Sequence, residues 1–258
     1  MILHKKPEQS KVPGFWAMPL IKFPIQIDSN FSKVATLIPE IDYWNHFLSP
    51  DTCDSLRNLF SESKISAPVS INGLLDQDYG IGSQRATGWS LQLANELSEL
   101  IIPHLNEKFC SEKTPTDWWQ GNPNKFPIWI PVQVSPLFRF MKYESGGEHY
   151  AHYDAGFLYE DGIHRTLKSF VIYLTTNQSG ATRFIRDNLE NFNIWDRNHS
   201  DWDRRVLKEE VLSAFLPREG SILIFDHRIC HDVDVYLGER DLPRIIIRGD
   251  LIYKMKTL

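Results

Sequence analysis

The chain has 258 residues, of which 42% are hydrophobic and 24% charged, and a formal net charge of −5. This is the composition of an ordinary globular protein with enough chain to bury a sizeable core, and the acidic balance speaks against a dedicated nucleic-acid binder, which carries a basic excess. Cys53, Cys110 and Cys230 are scattered, without a Cys-x-x-Cys pair, which gives no disulfide framework and fits a reducing compartment. No apolar run reaches the length of a membrane span. Met1 to Ser10 carries Lys5 and Lys6 with no uninterrupted apolar core behind them, so no signal peptide is expected. The expected location is cytoplasmic, with neither a membrane nor a nucleic acid as partner.

Residues 1–40 are rich in Pro and short apolar pieces and read as extended segments and turns. Ser49-Pro50-Asp51 marks a helix start, an N-cap residue followed by Pro, and Cys53, Leu56, Leu59 and Phe60 then recur at helical spacing. A second helix is predicted from about Ser90, with Leu93, Leu97, Leu100 and Ile101 as its stripe and Pro103 interrupting it. Gln84-Arg85 falls in a Gly-rich loop between the two helices and is a candidate substrate contact.

From Ile128 onward short β-rich runs take over: Ile128 to Val134, Leu137 to Tyr143, Ser169 to Thr175, Ala181 to Ile185, Ser221 to Phe225 and Arg244 to Tyr253. Gly146-Gly147, Asn177 to Gly180 and Pro217 to Gly220 punctuate them as turns. Helices first and many strands later predict an α+β chain whose C-terminal half is a β-sandwich or jelly roll. The expected organisation is one domain over 1–258: helical and extended support in 1–127, and a jelly-roll core in 128–258 interrupted by an insertion at 186–213. That insertion, with Trp195 and Trp202, and the Trp118-Trp119 pair are this chain's own features, and loops of this kind carry specificity.

The chemistry is carried by His152-Tyr153-Asp154 together with a distant His231. Two imidazoles and one carboxylate hold one face of a non-haem Fe(II) site and leave positions open. On a strand, residues two apart share a face, so His152 and Asp154 can meet one metal while Tyr153 points away. By the same rule His149, three before His152, belongs to the opposite face, where it packs or is exposed. A second His-x-Asp, His199-Ser200-Asp201, precedes the charged helix-like run Arg204 to Val211 and reads better as a capping turn. His227 and His231 would share a strand face and compete as the distal ligand.

In their order along the chain these pieces resemble the Fe(II)/2-oxoglutarate-dependent dioxygenases, within them the prolyl 4-hydroxylase-like group, whose core is a double-stranded β-helix. The counterparts are Tyr143 with Gly146, His152 with Asp154, Ser179-Gly180-Ala181-Thr182-Arg183-Phe184, Gly220 to Phe225 leading to His231, and Arg244 opening a late strand. The resemblance covers roughly residues 137–253. It implies His152, Asp154 and His231 as iron ligands, with His231 preferred to His227 because the family places its ligand at the end of that run.

The resemblance also implies a cation for the C5 carboxylate of 2-oxoglutarate, for which Arg offers a bidentate, charge-assisted clamp. The family's usual position, ten residues after the distal His, is here Asp241, so Arg244, Arg248 and Arg240 compete in that order. Tyr143 is read either as a hydrogen-bond donor to the cosubstrate or as a half-buried strand aromatic, and Thr182 and Phe184 as barrel lining. The implied activity uses Fe(II), O₂ and 2-oxoglutarate, with ascorbate as a possible support. It would hydroxylate an unactivated C–H bond of an amino-acid-like, peptide or small-metabolite substrate and release succinate and CO₂. Leu237 stands where nucleic-acid demethylases of the AlkB type place an Arg. The alternative outside catalysis is a cupin-like jelly-roll binding protein in which the histidines are structural.

Overall fold

A computed structural model describes residues 15–38, 40–61, 83–105, 109–110, 128–186, 205–238 and 242–256. Helix α1 spans Pro50–Ser61 and α2 spans Leu91–Ile101. Both begin where the sequence places a cap. The Ser49 hydroxyl accepts from the Thr52 N–H at 3.3 Å, and the Ser90 hydroxyl accepts from the Leu93 N–H at 3.1 Å, each satisfying a donor that has no partner within the helix. Pro103 lies in the 3₁₀ turn Ile102–His104 that closes α2.

The strands are β1 (Phe15–Ala17), β2 (Ser32–Val34), β3 (Ile41–Asn45), β4 (Ser83–Trp89), β5 (Phe109–Cys110), β6 (Ile128–Val134), β7 (Leu137–Tyr143), β8 (His149–His152), β9 (His164–Tyr173), β10 (Thr182–Ile185), β11 (Val211–Phe215), β12 (Ile222–Asp226), β13 (His231–Val233) and β14 (Arg244–Lys256). Among the described residues they form two sheets. The large sheet runs β1-β4-β7-β14-β9-β12-β3-β2, with β6 paired to β14 and β5 to β6; the small sheet runs β11-β10-β13-β8. Apart from the parallel β1–β4 pair, all strand pairings are antiparallel. Two facing antiparallel sheets with helices packed outside them make the expected α+β, double-stranded β-helix architecture.

Strand alternation divides the large sheet into two faces. Phe138, Phe140, Phe170, Ile172, Ile222, Ile224, Ile245 and Ile247 bury one face against Cys53, Leu56 and Phe60 of α1 and Leu93, Leu97 and Ile101 of α2. Phe60 stacks on Phe140 with ring centroids 5.4 Å apart. The intervening residues Met141, Tyr143, Val171, Tyr173, Leu223, Phe225 and Ile246 turn to the other face, toward Phe184 and Val233 of the small sheet. The helical layer thus leaves the opposite face of the large sheet free to line a cavity.

The N-terminal part contributes more than helices, since β1 to β4 all join the large sheet. Gln84 and Arg85, expected in a loop, lie in β4, and Arg85 sits opposite Met141 of β7. The segment Ser-Gln-Arg-Ala-Thr-Gly-Trp has no apolar alternation to announce a strand; β7 supplies the pairing that holds it there. The strand expected to carry both His152 and Asp154 also ends earlier, because β8 stops at His152 and Asp154 follows it. No described helix is long and apolar enough to cross a membrane.

Gly220 opens the turn into β12. Its φ is +77°, its N–H bonds to the Tyr173 carbonyl, and a Cβ there would lie 2.3 Å from the carbonyl oxygen of Leu48. Gly220→Ala should therefore destabilise the fold by about 1–3 kcal/mol, read as a lowered denaturant midpoint at unchanged m-value.

Candidate metal and cosubstrate site

β8 of the small sheet pairs with β13 so that His152 stands directly opposite His231. The two imidazole centroids are 4.2 Å apart. Asp154, just beyond β8, brings Oδ1 to 4.0 Å from His152 Nε2 and Oδ2 to 3.8 Å from His231 Nε2. One ligand atom from each of the three residues lies within 4.8 Å of the others. Tyr153 is buried and packs with Ala151, Ile185 and Cys230. His227 stands apart from the three, its Nε2 3.3 Å from Asp250 Oδ1.

The protonation pattern suits a cation. His152 Nδ1 lies 2.7 Å from the Tyr150 carbonyl oxygen and His231 Nδ1 lies 3.0 Å from that of Ile229. A carbonyl can only accept, so each Nδ1 carries the proton and each Nε2 presents a lone pair to the centre. Burial pushes the His152 imidazole down to about 3, and it lowers His231 too, with the Asp154 charge opposing both. Burial would raise the Asp154 carboxyl, but the guanidinium of Arg248, followed by the imidazoles, reverses that and holds it well below the usual carboxylate range. Near neutral pH the cluster is therefore two neutral imidazoles and one carboxylate, the deprotonated set a metal requires.

Asp154 is also held from behind. Arg248 Nη2 lies 2.5 Å from its Oδ1, and the Ser169 hydroxyl donates to its Oδ2 at 2.5 Å. Arg248 stands directly opposite Arg139 across β7 and β14, a like-charge pairing, and Asp250 lies between them, 3.4 Å from Arg248 and 3.6 Å from Arg139. Burial, then the neighbouring Arg248 charge, lowers Arg139 to about 10. Outer partners of this kind fix the orientation of a metal-ligating carboxylate.

His152, Asp154, His231, Arg139 and Arg248 border a cavity of about 300 Å³. Its closed end holds Tyr143 and Arg244, both fully buried. The Arg244 Nε donates to the Gly180 carbonyl at 2.8 Å, and its Nη2 to the Thr182 hydroxyl at 3.1 Å. The guanidinium lies 4.6 Å from the centroid of the Tyr143 ring and 5.7 Å from that of Tyr173. Gly180, at φ +70°, makes room for it, since a Cβ there would come within 3.0 Å of the Arg244 side chain. Nη1 is buried without a hydrogen-bond partner. Along β14 about 14 Å of strand separates Arg244 from Arg248, so the two arginines serve opposite ends of the cavity.

No protein-family model matches the sequence, and no curated protein matches it. Solved structures do match in three dimensions. HygX from Streptomyces hygroscopicus, with nickel and 2-oxoglutarate bound, superposes with a TM-score of 0.50 at 12% identity, over 83% of this chain and 82% of that one. The fold is that of the Fe(II)/2-oxoglutarate oxygenases. A prolyl-4-hydroxylase from Pseudomonas putida matches with a TM-score of 0.47 at 15% identity, over 84% of this chain and 94% of the other. A prolyl hydroxylase from Trichoplax adhaerens, in complex with a hypoxia inducible factor peptide fragment, matches with a TM-score of 0.48 at 15% identity, over 82% and 83%. The chain combines the fold it shares with HygX with a clustered His-Asp-His triad.

Several residues occupy places the sequence reading did not give them. His149 was expected on the opposite face from His152, yet its ring centroid lies 4.4 Å from that of His152 and it lines the cavity. The register explains this: three steps along β8, from His149 to His152, match two along β13, from Val233 to His231, and a bulge of this kind returns residues three apart to one face. Thr182 lines the cavity, as read, and also accepts hydrogen bonds from both Arg244 and Tyr173. Ser169, Asp250 and Arg139 were not singled out for the site, whereas Arg85, read as a candidate substrate contact, does line the cavity. Arg139 and Arg248 did carry a signal, as cations at inward positions of otherwise apolar strands. Arg240, His199 with Asp201, Trp118-Trp119, Trp195, Trp202 and all but the ends of the 186–213 insertion lie outside the described residues. Where the described chain resumes, Arg205 pairs with the buried Glu148 at 2.6 Å, which ties the end of that insertion beside β8.

Proposed function

We propose that the protein is an Fe(II)- and 2-oxoglutarate-dependent oxygenase that hydroxylates an unactivated C–H bond of an amino-acid-like, peptide or small-metabolite substrate. The observation that carries this is the coexistence, in one cavity, of the His152/Asp154/His231 cluster and a buried guanidinium with an unused donor, Arg244 Nη1. Two neutral imidazoles and a carboxylate suit Fe(II) and leave coordination positions for other molecules. A buried arginine with no carboxylate beside it is costly unless an anion joins it, and the C5 carboxylate of 2-oxoglutarate meets that need.

The surroundings of Arg244 favour the same reading. The Thr182 hydroxyl accepts from Tyr173 at 2.9 Å and from Arg244, which leaves its own proton to donate to an incoming carboxylate. Tyr143 walls the same end. Arg248, already engaged with Asp154 and Asp250, acts on the orientation of the metal ligand rather than as the clamp. When bound, iron would activate O₂, with oxidative decarboxylation of 2-oxoglutarate to succinate and CO₂ supplying two electrons, so that one oxygen atom goes to succinate and the other to the substrate. The protein's part is to hold them, orient the substrate and exclude water. The cytoplasm, where thiols such as Cys53 and Cys230 stay reduced, is the proposed location.

Formation of succinate from 2-oxoglutarate that requires both Fe(II) and O₂ is the direct test. A folded, iron-loaded protein that neither binds 2-oxoglutarate nor forms succinate would instead favour a jelly-roll binding protein.

A further inference from the structure

Behind the triad four charged groups alternate in sign: Asp154, Arg248, Asp250 and Arg139. Arg248 Nη2 lies 2.5 Å from Asp154 Oδ1 and 3.4 Å from Asp250 Oδ1, and Arg139 Nη1 lies 3.6 Å from Asp250 Oδ2. The register builds this row. Arg248 faces Arg139 across β14 and β7. Asp250, two residues on and so on the same face of β14, faces Ser169 of β9. Asp154 belongs to the metal cluster and Asp250 does not. Asp250 is also absent from the described residues that border the cavity, so it acts on the site only through its neighbours.

Those neighbours depend on its charge. Arg139 Nη1 and Arg248 Nε are buried without a hydrogen-bond partner. Ser169 does not replace Asp250 as the counterweight, because it is neutral and its hydroxyl has one proton. That proton goes to Asp154 Oδ2 at 2.5 Å rather than to Asp250 Oδ1 at 3.2 Å. The two guanidiniums therefore share Asp250, and the charges of the four groups cancel. Burial would raise the Asp250 carboxyl, but Arg248, then His227 at 3.3 Å and Arg139, hold it below the usual carboxylate range, so it is ionised at neutral pH. Without that charge both arginines would turn their positive potential on Asp154 and on any cation it holds, in a buried place where screening is weak.

We propose that Asp250 is a positioning residue for the metal: by taking up the charges of Arg248 and Arg139 it leaves the Asp154 carboxylate free to hold a divalent cation. This rests on the reading of His152, Asp154 and His231 as the metal ligands. Asp250 then favours the metal and Arg139 opposes it, although neither belongs to the cluster.

The test measures binding of Fe(II) alone to the whole chain, anaerobically and by equilibrium dialysis, without 2-oxoglutarate. Asp250→Asn keeps the shape and one acceptor of the side chain and removes its charge. It should weaken Fe(II) binding by about 10–100-fold, the range typical for outer partners of a metal ligand. Arg139→Met should bind Fe(II) more tightly than wild type, because Asp250 then serves Arg248 alone. The double variant Asp250→Asn/Arg139→Met, in which the remaining charges again cancel, should recover most of the loss. A purely structural Asp250 would give the reverse, a double variant no better than Asp250→Asn, because two contacts would then be missing. The proposal is overturned by wild-type affinity in Asp250→Asn, by equal or weaker binding in Arg139→Met, or by a double variant that recovers nothing. If Asp250→Asn does not fold, as read from its thermal midpoint, Arg139→Met decides alone. A folded wild-type protein that binds no Fe(II) is a different failure: it removes the ligand assignment, and the proposal with it.

Discussion

Replacing Asp154 with Ala should abolish Fe(II) binding and reduce succinate formation to background. Asp154 is the one carboxylate of the cluster, with oxygens 4.0 and 3.8 Å from the two imidazole Nε2 atoms. Without it two neutral histidines face a cavity whose nearest strong charge is the cation Arg248. Loss of an outer partner typically weakens a metal site by about 10–100-fold, and loss of a ligand that also supplies the charge exceeds that. Arg248 still has Asp250 at 3.4 Å and Ser169 at 3.1 Å, so the variant should fold. Metal uptake, measured by equilibrium dialysis, separates a lost site from lost folding. Normal succinate production by this variant would sink the ligand assignment.

The second large effect is expected at the other end of the cavity. Arg244→Met should weaken 2-oxoglutarate binding by about a hundredfold, because charged hydrogen bonds contribute about 1.5–3 kcal/mol each and a carboxylate facing Met in a buried site has lost more than one. Iron binding should be untouched. Stability should move in the opposite sense to function. In the ligand-free protein Arg244 is a buried cation with Nη1 unsatisfied, so a well-packed Met in its place should leave the thermal midpoint equal or higher. The rise in midpoint that 2-oxoglutarate gives the wild type, by binding only the folded state, should disappear. Wild-type 2-oxoglutarate affinity in Arg244→Met would move the clamp to another cation.

The sequence made the spine of this site legible and left much of its surroundings hidden. His152-Tyr153-Asp154 and His231 could be found because a strand's two-residue period and the ligand preferences of Fe(II) are local rules. β6 and β7 were bounded correctly because their apolar runs are closed by turn residues. The strand that carries Arg85 was hidden because β4 has no apolar alternation of its own and owes its pairing to β7. Ser169, Arg139 and Asp250 were hidden because their roles exist only through the registers of β9, β14 and β7, which bring residues far apart in the chain into one row. His149 was misplaced by a bulge, a single extra residue that inverts the face rule and leaves no mark in composition. Arg244 could be preferred to Arg248 by resemblance alone. Its physical reason, a buried unsatisfied donor framed by Gly180 and Thr182, needed the packed barrel.

The central claim is that one cavity holds Fe(II) on His152, Asp154 and His231 together with 2-oxoglutarate. Anaerobic titration of the apo-protein with Fe(II) and 2-oxoglutarate, followed by visible spectroscopy, tests it most directly. A charge-transfer band that needs both components, saturates at one equivalent of iron and vanishes in His231→Ala is the predicted result. A folded wild-type protein that gives no band, or a His231→Ala variant that gives the same band, would contradict it.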